Sequence, residues 1–214
     1  VRLRKKPWIA EAINQYNDFV YQDIDSSVQG RWQEVFSRSA PLHVELGTGK
    51  GRFITETAAL NPDINYIGIE AQLDVLFYAA QKAAAKELKN IRLLVFDINN
   101  ILDIFADNEI DQLYINFCDP WPKARHAKRR LTHINFLNKY RQIIKSGGRL
   151  FFKTDNKALF EFSLEQFAEN GLIVENVTFD LHNSEFAEKN IMTEYEQKFS
   201  GLGMKIHRCE VVFP

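Results

Sequence analysis

An acid, a tryptophan set between two prolines and a row of cations follow one another in Asn116-Phe117-Cys118-Asp119-Pro120-Trp121-Pro122-Lys123-Ala124-Arg125-His126-Ala127-Lys128-Arg129-Arg130. Proline fixes φ and has no N–H, so neither a central strand nor a helix continues through Trp121. The apolar run Leu113-Tyr114-Ile115 just before reads as a buried strand. Asp119 and the Trp121 face therefore stand on a stiff loop at that strand's carboxyl end. Five of the eight positions from Lys123 to Arg130 are Lys or Arg, with His126 among them. A carboxylate, a stacking surface and a comb of cations suit a base held over an aromatic ring, with its phosphates gripped nearby. By itself the comb also reads as a solvated charge run after a turn.

A second constellation lies upstream. In Val44-Glu45-Leu46-Gly47-Thr48-Gly49-Lys50-Gly51 the glycines alternate directly after an apolar strand. Glycine permits a tight turn and lets a ligand approach the main chain, at the sheet edge where open α/β folds bind ligands. Arg52 stands where a dinucleotide fingerprint needs its third glycine, and no GxxxxGK[ST] is present. The turn, preceded by the acid Glu45, suits a nucleoside cofactor without phosphates, such as S-adenosylmethionine. Glu70 closes the second strand, 23 residues after Gly47, where an acid accepts both ribose hydroxyls. Asp97 closes the third, placed to receive an adenine amino group. Acids at strand ends also cap helices. Three of them beside one glycine turn favour the cofactor.

Positioning these groups requires alternating strands and helices. Apolar runs at 42–46, 65–69, 91–96, 112–117 and 149–153 read as strands, with helical patterns at 52–60, 73–88, 133–144 and 157–169 between them. That alternation predicts a parallel sheet covered on both faces. Two further strands, at 173–181 and 205–212, are too close for a full crossover, and a short helix at 193–199 joins them. The expectation is an α/β domain over 40–214 with a seven-stranded, mostly parallel sheet whose last strand is antiparallel. Residues 1–39 are expected to be a basic N-terminal extension of helix and loop.

Bulk properties narrow the class. The chain has 214 residues, 45% of them hydrophobic, enough for one substantial domain. No apolar run reaches the roughly 18–20 residues that cross a bilayer, and no signal-peptide core follows the basic start. A cytoplasmic protein without membrane attachment is expected. Cys118 and Cys209, far apart and without a CxxC, give neither a disulfide framework nor a zinc site, so no metal is expected. Cys118 reads as a small buried filler. The formal charge is −1, but residues 1–6 and 123–130 hold nine of the 27 bases and no acid, leaving 18 bases against 28 acids elsewhere. Such segregation draws a polyanion to one surface.

Together the strings VELGTGKG (44–51), GIE (68–70), DPWPKARHAKRRL (119–131), FKTDN (152–156) and MTEYEQKF (192–199) make the chain resemble the bacterial tRNA (guanine-N7-)-methyltransferases. The similarity runs from about residue 40 to the C-terminus, and more loosely through the basic start. It implies a class I, Rossmann-like methyltransferase fold, S-adenosylmethionine as donor with S-adenosylhomocysteine as product, and a variable-loop guanosine of tRNA as target. It also implies that Glu45, Gly47, Gly49, Gly51, Glu70, Asp97 and Asp119 bind the cofactor, with Asp119 the catalytic acid. Lys123, Asp155, Thr193, Glu194, Tyr195 and Glu196 match the family's substrate contacts, and Arg125, His126, Lys128, Arg129 and Arg130 its RNA-binding region. Relatives occur as monomers and dimers, and a homodimer is expected. Asp155 also reads as a helix N-cap, and Thr193 to Glu196 as a capping box. DPWP is similar to the D-P-P-[YFW] loop of enzymes that methylate exocyclic amines, and an RNA-binding module without catalysis is a further alternative.

Overall fold

The structure is a computed structural model that describes residues 6–214; the basic start with Arg2, Arg4 and Lys5 lies outside the described residues. Among these residues one sheet of eight strands organises the fold: β1 (Val20–Tyr21), β2 (Leu42–Leu46), β3 (Asn65–Glu70), β4 (Ile91–Val95), β5 (Ile110–Asn116), β6 (Ile144–Thr154), β7 (Ile173–Thr178) and β8 (His207–Val212). Their order is β1-β4-β3-β2-β5-β6-β8-β7. All pairings are parallel except those of β8, which runs antiparallel to both β6 and β7. Every residue of β2 is buried, the signature of a parallel strand covered on both faces.

Seven α-helices among the described residues flank the sheet: α1 (Ile9–Ala12), α2 (Trp32–Val35), α3 (Arg52–Leu60), α4 (Leu73–Ala85), α5 (Ile134–Ile143), α6 (Lys157–Glu169) and α7 (Glu194–Ser200). α1, α3 and α4 bury their apolar sides on one face with Tyr66, Leu93 and Tyr114. α2, α5 and α6 cover the other, over Val44, Ile67 and Ile115. The helix ends follow local chemistry. Asn156 caps α6 through its side chain, which accepts from Leu159 N–H at 2.8 Å, and Gly171 leaves that helix in a left-handed turn at φ +65°.

The sheet departs from the seven expected strands by one. Val20 and Tyr21 pair with Leu93 and Leu94 of β4, adding an edge strand from the segment expected to be an extension. Two residues are too few to carry a readable alternation, so only tertiary pairing reveals them. Ile9, Ile13 and Trp32 are fully buried, so this segment also packs into both cores. Chain order reverses at β2, with β3 on one side and β5 on the other. A crevice at the carboxyl ends of strands is the usual ligand site at such a reversal.

Candidate active site

Parallel pairing sets Glu45 opposite Tyr114 and Leu46 opposite Ile115, so the turn after β2 and the loop after β5 leave the same edge as neighbours. Glu45 ties them together. Its buried carboxylate accepts from Asn116 Nδ2 at 2.8 Å and from Thr48 Oγ1 at 3.1 Å. Burial pushes its pKa up to about 8, against the pull of those two hydrogen bonds and of the Lys153 charge. Glu70 accepts from the backbone N–H of Gly49 at 3.2 Å and of Gln72 at 3.0 Å. Burial holds its carboxyl above the ordinary range, and the nearby Asp119 charge adds to that. Glu45, Glu70 and Asp119 thus meet at one rim.

The glycine turn is shaped for close approach. Gly47 and Gly49 have φ of +76° and +59°; a Cβ on the first would meet nothing within 4 Å, and on the second only Gly47 O at 3.9 Å. Gly51 is needed for a different reason. A Cβ there would stand 2.3 Å from that of Ala79, so α4 packs directly against the turn. Open main chain ringed by carboxylates fits a cationic nucleoside with ribose hydroxyls and an amine, as S-adenosylmethionine is. Asp97 lies exposed after β4, where one carboxylate oxygen caps the following turn by accepting from Asn99 N–H at 2.9 Å.

Two non-glycine residues with positive φ bracket Asp119: Phe117 at +55° and Trp121 at +41°. Such backbone is uncommon for bulky residues and turns the chain sharply out of β5. Asp119 itself is exposed on the rim. Cys118 is half-buried, and desolvation pushes its thiol up to about 12, which disfavours the thiolate. Residues Ala124–Arg129 form a 3₁₀ helix on which Arg125, Lys128 and Arg129 point into solvent, with Lys123 just ahead of them. His126 meets the Trp121 ring edge-on at 5.8 Å, and the Arg129 guanidinium lies 4.8 Å over it.

α7 carries the TEYE string to this rim, and its four residues do different things. Thr193 caps the helix, accepting from Glu196 N–H at 2.9 Å. Glu194 pairs with Lys82 and accepts from Arg52 N–H at 3.4 Å, locking α7 onto the start of α3. Tyr195 lays its ring 5.2 Å from Phe117 and donates its hydroxyl to Asp155 at 3.1 Å. Glu196 is fully buried, paired with Lys153 at 2.8 Å and accepting from Asn190 at 2.6 Å. The Glu196 carboxylate thus faces inward onto a lysine, where the expected substrate contact would have it face the rim. Asp155 is not the N-cap of α6, a role that Asn156 takes.

Asn116, Thr48 and Lys153 escaped the sequence reading. A polar residue inside an otherwise apolar strand was the available signal: Asn116 after Leu113-Tyr114-Ile115, Lys153 after Leu150-Phe151-Phe152. On the α3 side of the sheet a cavity of about 480 Å³ abuts this polar layer, lined by Tyr114, Asn116, Phe151, Lys153 and Arg208 among others. Its lining includes neither the glycine turn nor Asp119.

A reversed-order sheet with a glycine turn, an acid closing β3 and an aromatic loop on one rim is the arrangement of a class I S-adenosylmethionine-dependent methyltransferase. The fold is shared with an antibiotic-related methyltransferase (TM-score 0.64, 20% identity, 88% of this chain and 94% of that one). It is shared equally with the 16S rRNA methyltransferase KamB (TM-score 0.65, 15% identity, 86% and 94%). A family described as "Putative methyltransferase" matches residues 39–209. Full-length relatives are nearer. The tRNA (guanine-N(7)-)-methyltransferase of Halalkalibacterium halodurans is 51% identical over 100% of this chain and 96% of its own length. That of Bacillus subtilis is 48% identical over 99% and 98%. The chain belongs to the bacterial tRNA (guanine-N(7)-)-methyltransferase family.

Proposed function

We propose that this chain methylates N7 of a guanosine in tRNA, with position 46 of the variable loop as the target that the resemblance implies. The observation that carries the reading is the meeting of Glu45, Glu70 and Asp119 at one rim, with exposed cations beginning at Lys123, four residues beyond Asp119, and continuing along the 3₁₀ helix. S-adenosylmethionine supplies the activated methyl group. Guanine N7 has a free lone pair and no proton to lose at neutral pH, so the chemistry asks for alignment and exclusion of water rather than a strong base.

The chain's residues divide that work. Glu70 accepts ribose hydroxyls and Asp97 an adenine amino group, while Glu45, buried and bonded to Asn116 and Thr48, holds the glycine turn against the end of β5 below the cofactor. Asp119 accepts from the guanine N1–H and amino group, which adenine lacks in that pattern. Tyr195, held by Asp155, gives a stacking face beside it, and Lys123 offers a cation to the adjoining phosphate. Arg125, His126, Lys128 and Arg129 form the row that tracks the RNA backbone. No helix among the described residues is long and apolar enough to cross a membrane. A cytoplasmic setting follows the expectation from composition, and a homodimer is one of the two states, monomer and dimer, in which the resembling family occurs.

Incubation with radiolabelled S-adenosylmethionine and unmodified tRNA, followed by digestion to nucleosides, tests the reading. Label in 7-methylguanosine is expected. Label on an exocyclic amine, or no transfer despite cofactor binding, would overturn it.

A further inference from the structure

Arg130 closes the cation row in sequence but not in space. Its Nε donates to Pro120 O at 3.2 Å and an Nη to Trp121 O at 3.1 Å. The guanidinium carbon lies 4.3 Å from the centre of the Phe162 ring on α6. Arg130 is half-buried, whereas Arg125, Lys128 and Arg129 are exposed. A planar guanidinium can bond two carbonyls and stack on a ring at once, which an ammonium cannot. The carbonyls it holds belong to the turn that follows Asp119, where Trp121 sits at a φ of +41° between two prolines. A bend of that kind persists only when its surroundings hold it.

We propose that Arg130 is a positioning residue: it braces the Pro120–Pro122 turn against α6, sets Asp119 at the cofactor rim, and does not neutralise an RNA phosphate. The brace runs from Phe162 on the α6 face through Arg130 to the two carbonyls, and so to the carboxylate one residue ahead of them. This inference rests on the reading that Asp119 orients the acceptor base. It also divides the basic stretch into cations that meet RNA and one that shapes the loop.

Single-turnover transfer at saturating tRNA and cofactor tests it with Arg130→Lys, Arg130→Gln and Phe162→Leu. Misplacement of a reacting group by about 1 Å lowers rates on the order of 100-fold. A loss of about 10- to 100-fold is expected in Arg130→Lys and Phe162→Leu, with an unchanged far-ultraviolet circular dichroism spectrum as evidence of an intact fold. In Arg130→Gln the dependence of log K for tRNA on log salt should keep the wild-type slope. Phe162→Leu changes no charge, so a phosphate-binding role for Arg130 predicts a wild-type rate there. The proposal is overturned if Phe162→Leu transfers at the wild-type rate. It is also overturned if Arg130→Gln loses about 0.7–0.9 of slope, one phosphate's worth, and recovers full rate at saturating tRNA. Asp119→Asn run alongside separates the two readings: full rate in Asp119→Asn removes the role of Asp119, whereas a slow Asp119→Asn with fast Arg130→Lys removes only the brace.

Discussion

The Glu45 carboxylate accepts a hydrogen bond from the Asn116 amide at 2.8 Å, joining the carboxyl end of β2 to the last residue of β5 beneath the cofactor rim. Burial raises the folded-state pKa of Glu45 to about 8 against a reference of 4.5. The folded state therefore keeps a proton that the unfolded chain has lost. Its contribution to stability is full below pH 4.5 and declines as pH rises toward 8, by at most about 1.4 kcal/mol per unit. Glu45→Gln should remove that decline. Urea unfolding of the cofactor-free protein from about pH 5 to 8 measures it, as the difference between wild type and variant. A difference that does not change with pH would show Glu45 to be ionised throughout.

Asp119 should orient and not deprotonate. The wild-type single-turnover rate should be flat from about pH 6 to 9, with Asp119→Asn lowering it at every pH alike. A lost hydrogen bond to a charged group is worth about 1.5–3 kcal/mol, or roughly 10- to 100-fold. A wild-type rate rising tenfold per unit through a carboxylate titration, and lost in the variant with binding intact, would make Asp119 a base.

The Lys153–Glu196 pair is almost wholly out of solvent, with side chains 7% and 0% exposed. Desolvation draws the Lys153 pKa down while the Glu196 charge opposes that shift. Removing one partner strands the other, so Glu196→Gln or Lys153→Met should lose about 3–5 kcal/mol of stability. Removing both together, as Lys153→Met with Glu196→Leu, should lose less than the sum of the single changes. Chemical denaturation reads both. A Glu196→Gln protein as stable as wild type would contradict the buried pairing.

Gly51→Ala meets two obstacles: φ of +80° and an approach of 2.3 Å to the Ala79 side chain. It should lower stability by about 1–3 kcal/mol and weaken cofactor binding, because the turn must shift to clear α4. Adding Ala79→Gly relieves the clash but not the backbone strain, so it should recover part of the loss. Calorimetric titration with S-adenosylhomocysteine follows both variants, and full recovery would assign the whole effect to packing.

Charge reversal at Arg129 should weaken tRNA binding and flatten its salt dependence by about 0.7–0.9 for each phosphate left without its cation. Arg125 and Lys128, equally exposed on the same 3₁₀ helix, should behave alike. Filter binding across a salt series measures the slope. An unchanged slope in an Arg125→Glu, Lys128→Glu and Arg129→Glu triple variant would take the RNA backbone off this surface.

Much of the framework was legible in residue order. β2 through β5 and α3 through α6 fall close to the expected spans because apolar runs and helical patterns alternate, with stops such as Asn61-Pro62 and Asn170-Gly171 between them, whereas β6 starts at Ile144, five residues before the expected strand. The positions of the glycine turn after β2 and of the acids near the ends of β2, β3 and β4 were legible for the same reason: the carboxyl edge of a parallel sheet is marked in consecutive residues. β1 was not, since two residues carry no period. Nor was the inward turn of Glu196, because a capping box looks the same whether its acid ends in solvent or on a buried lysine.

The chain order alone determined an α/β sheet, a glycine turn after its first central strand, and an acid–aromatic–cation loop after a later one. Only the tertiary structure decided that β2 and β5 lie side by side, because parallel pairing joins segments far apart in the chain, Glu45 opposite Tyr114. It also decided which like-looking charges differ. Arg129 and Arg130 are neighbours in the same basic run, yet one lies over Trp121 facing solvent and the other bonds the turn behind it. The direction in which a side chain leaves the backbone depends on what packs around it, and a run of like residues carries no record of that.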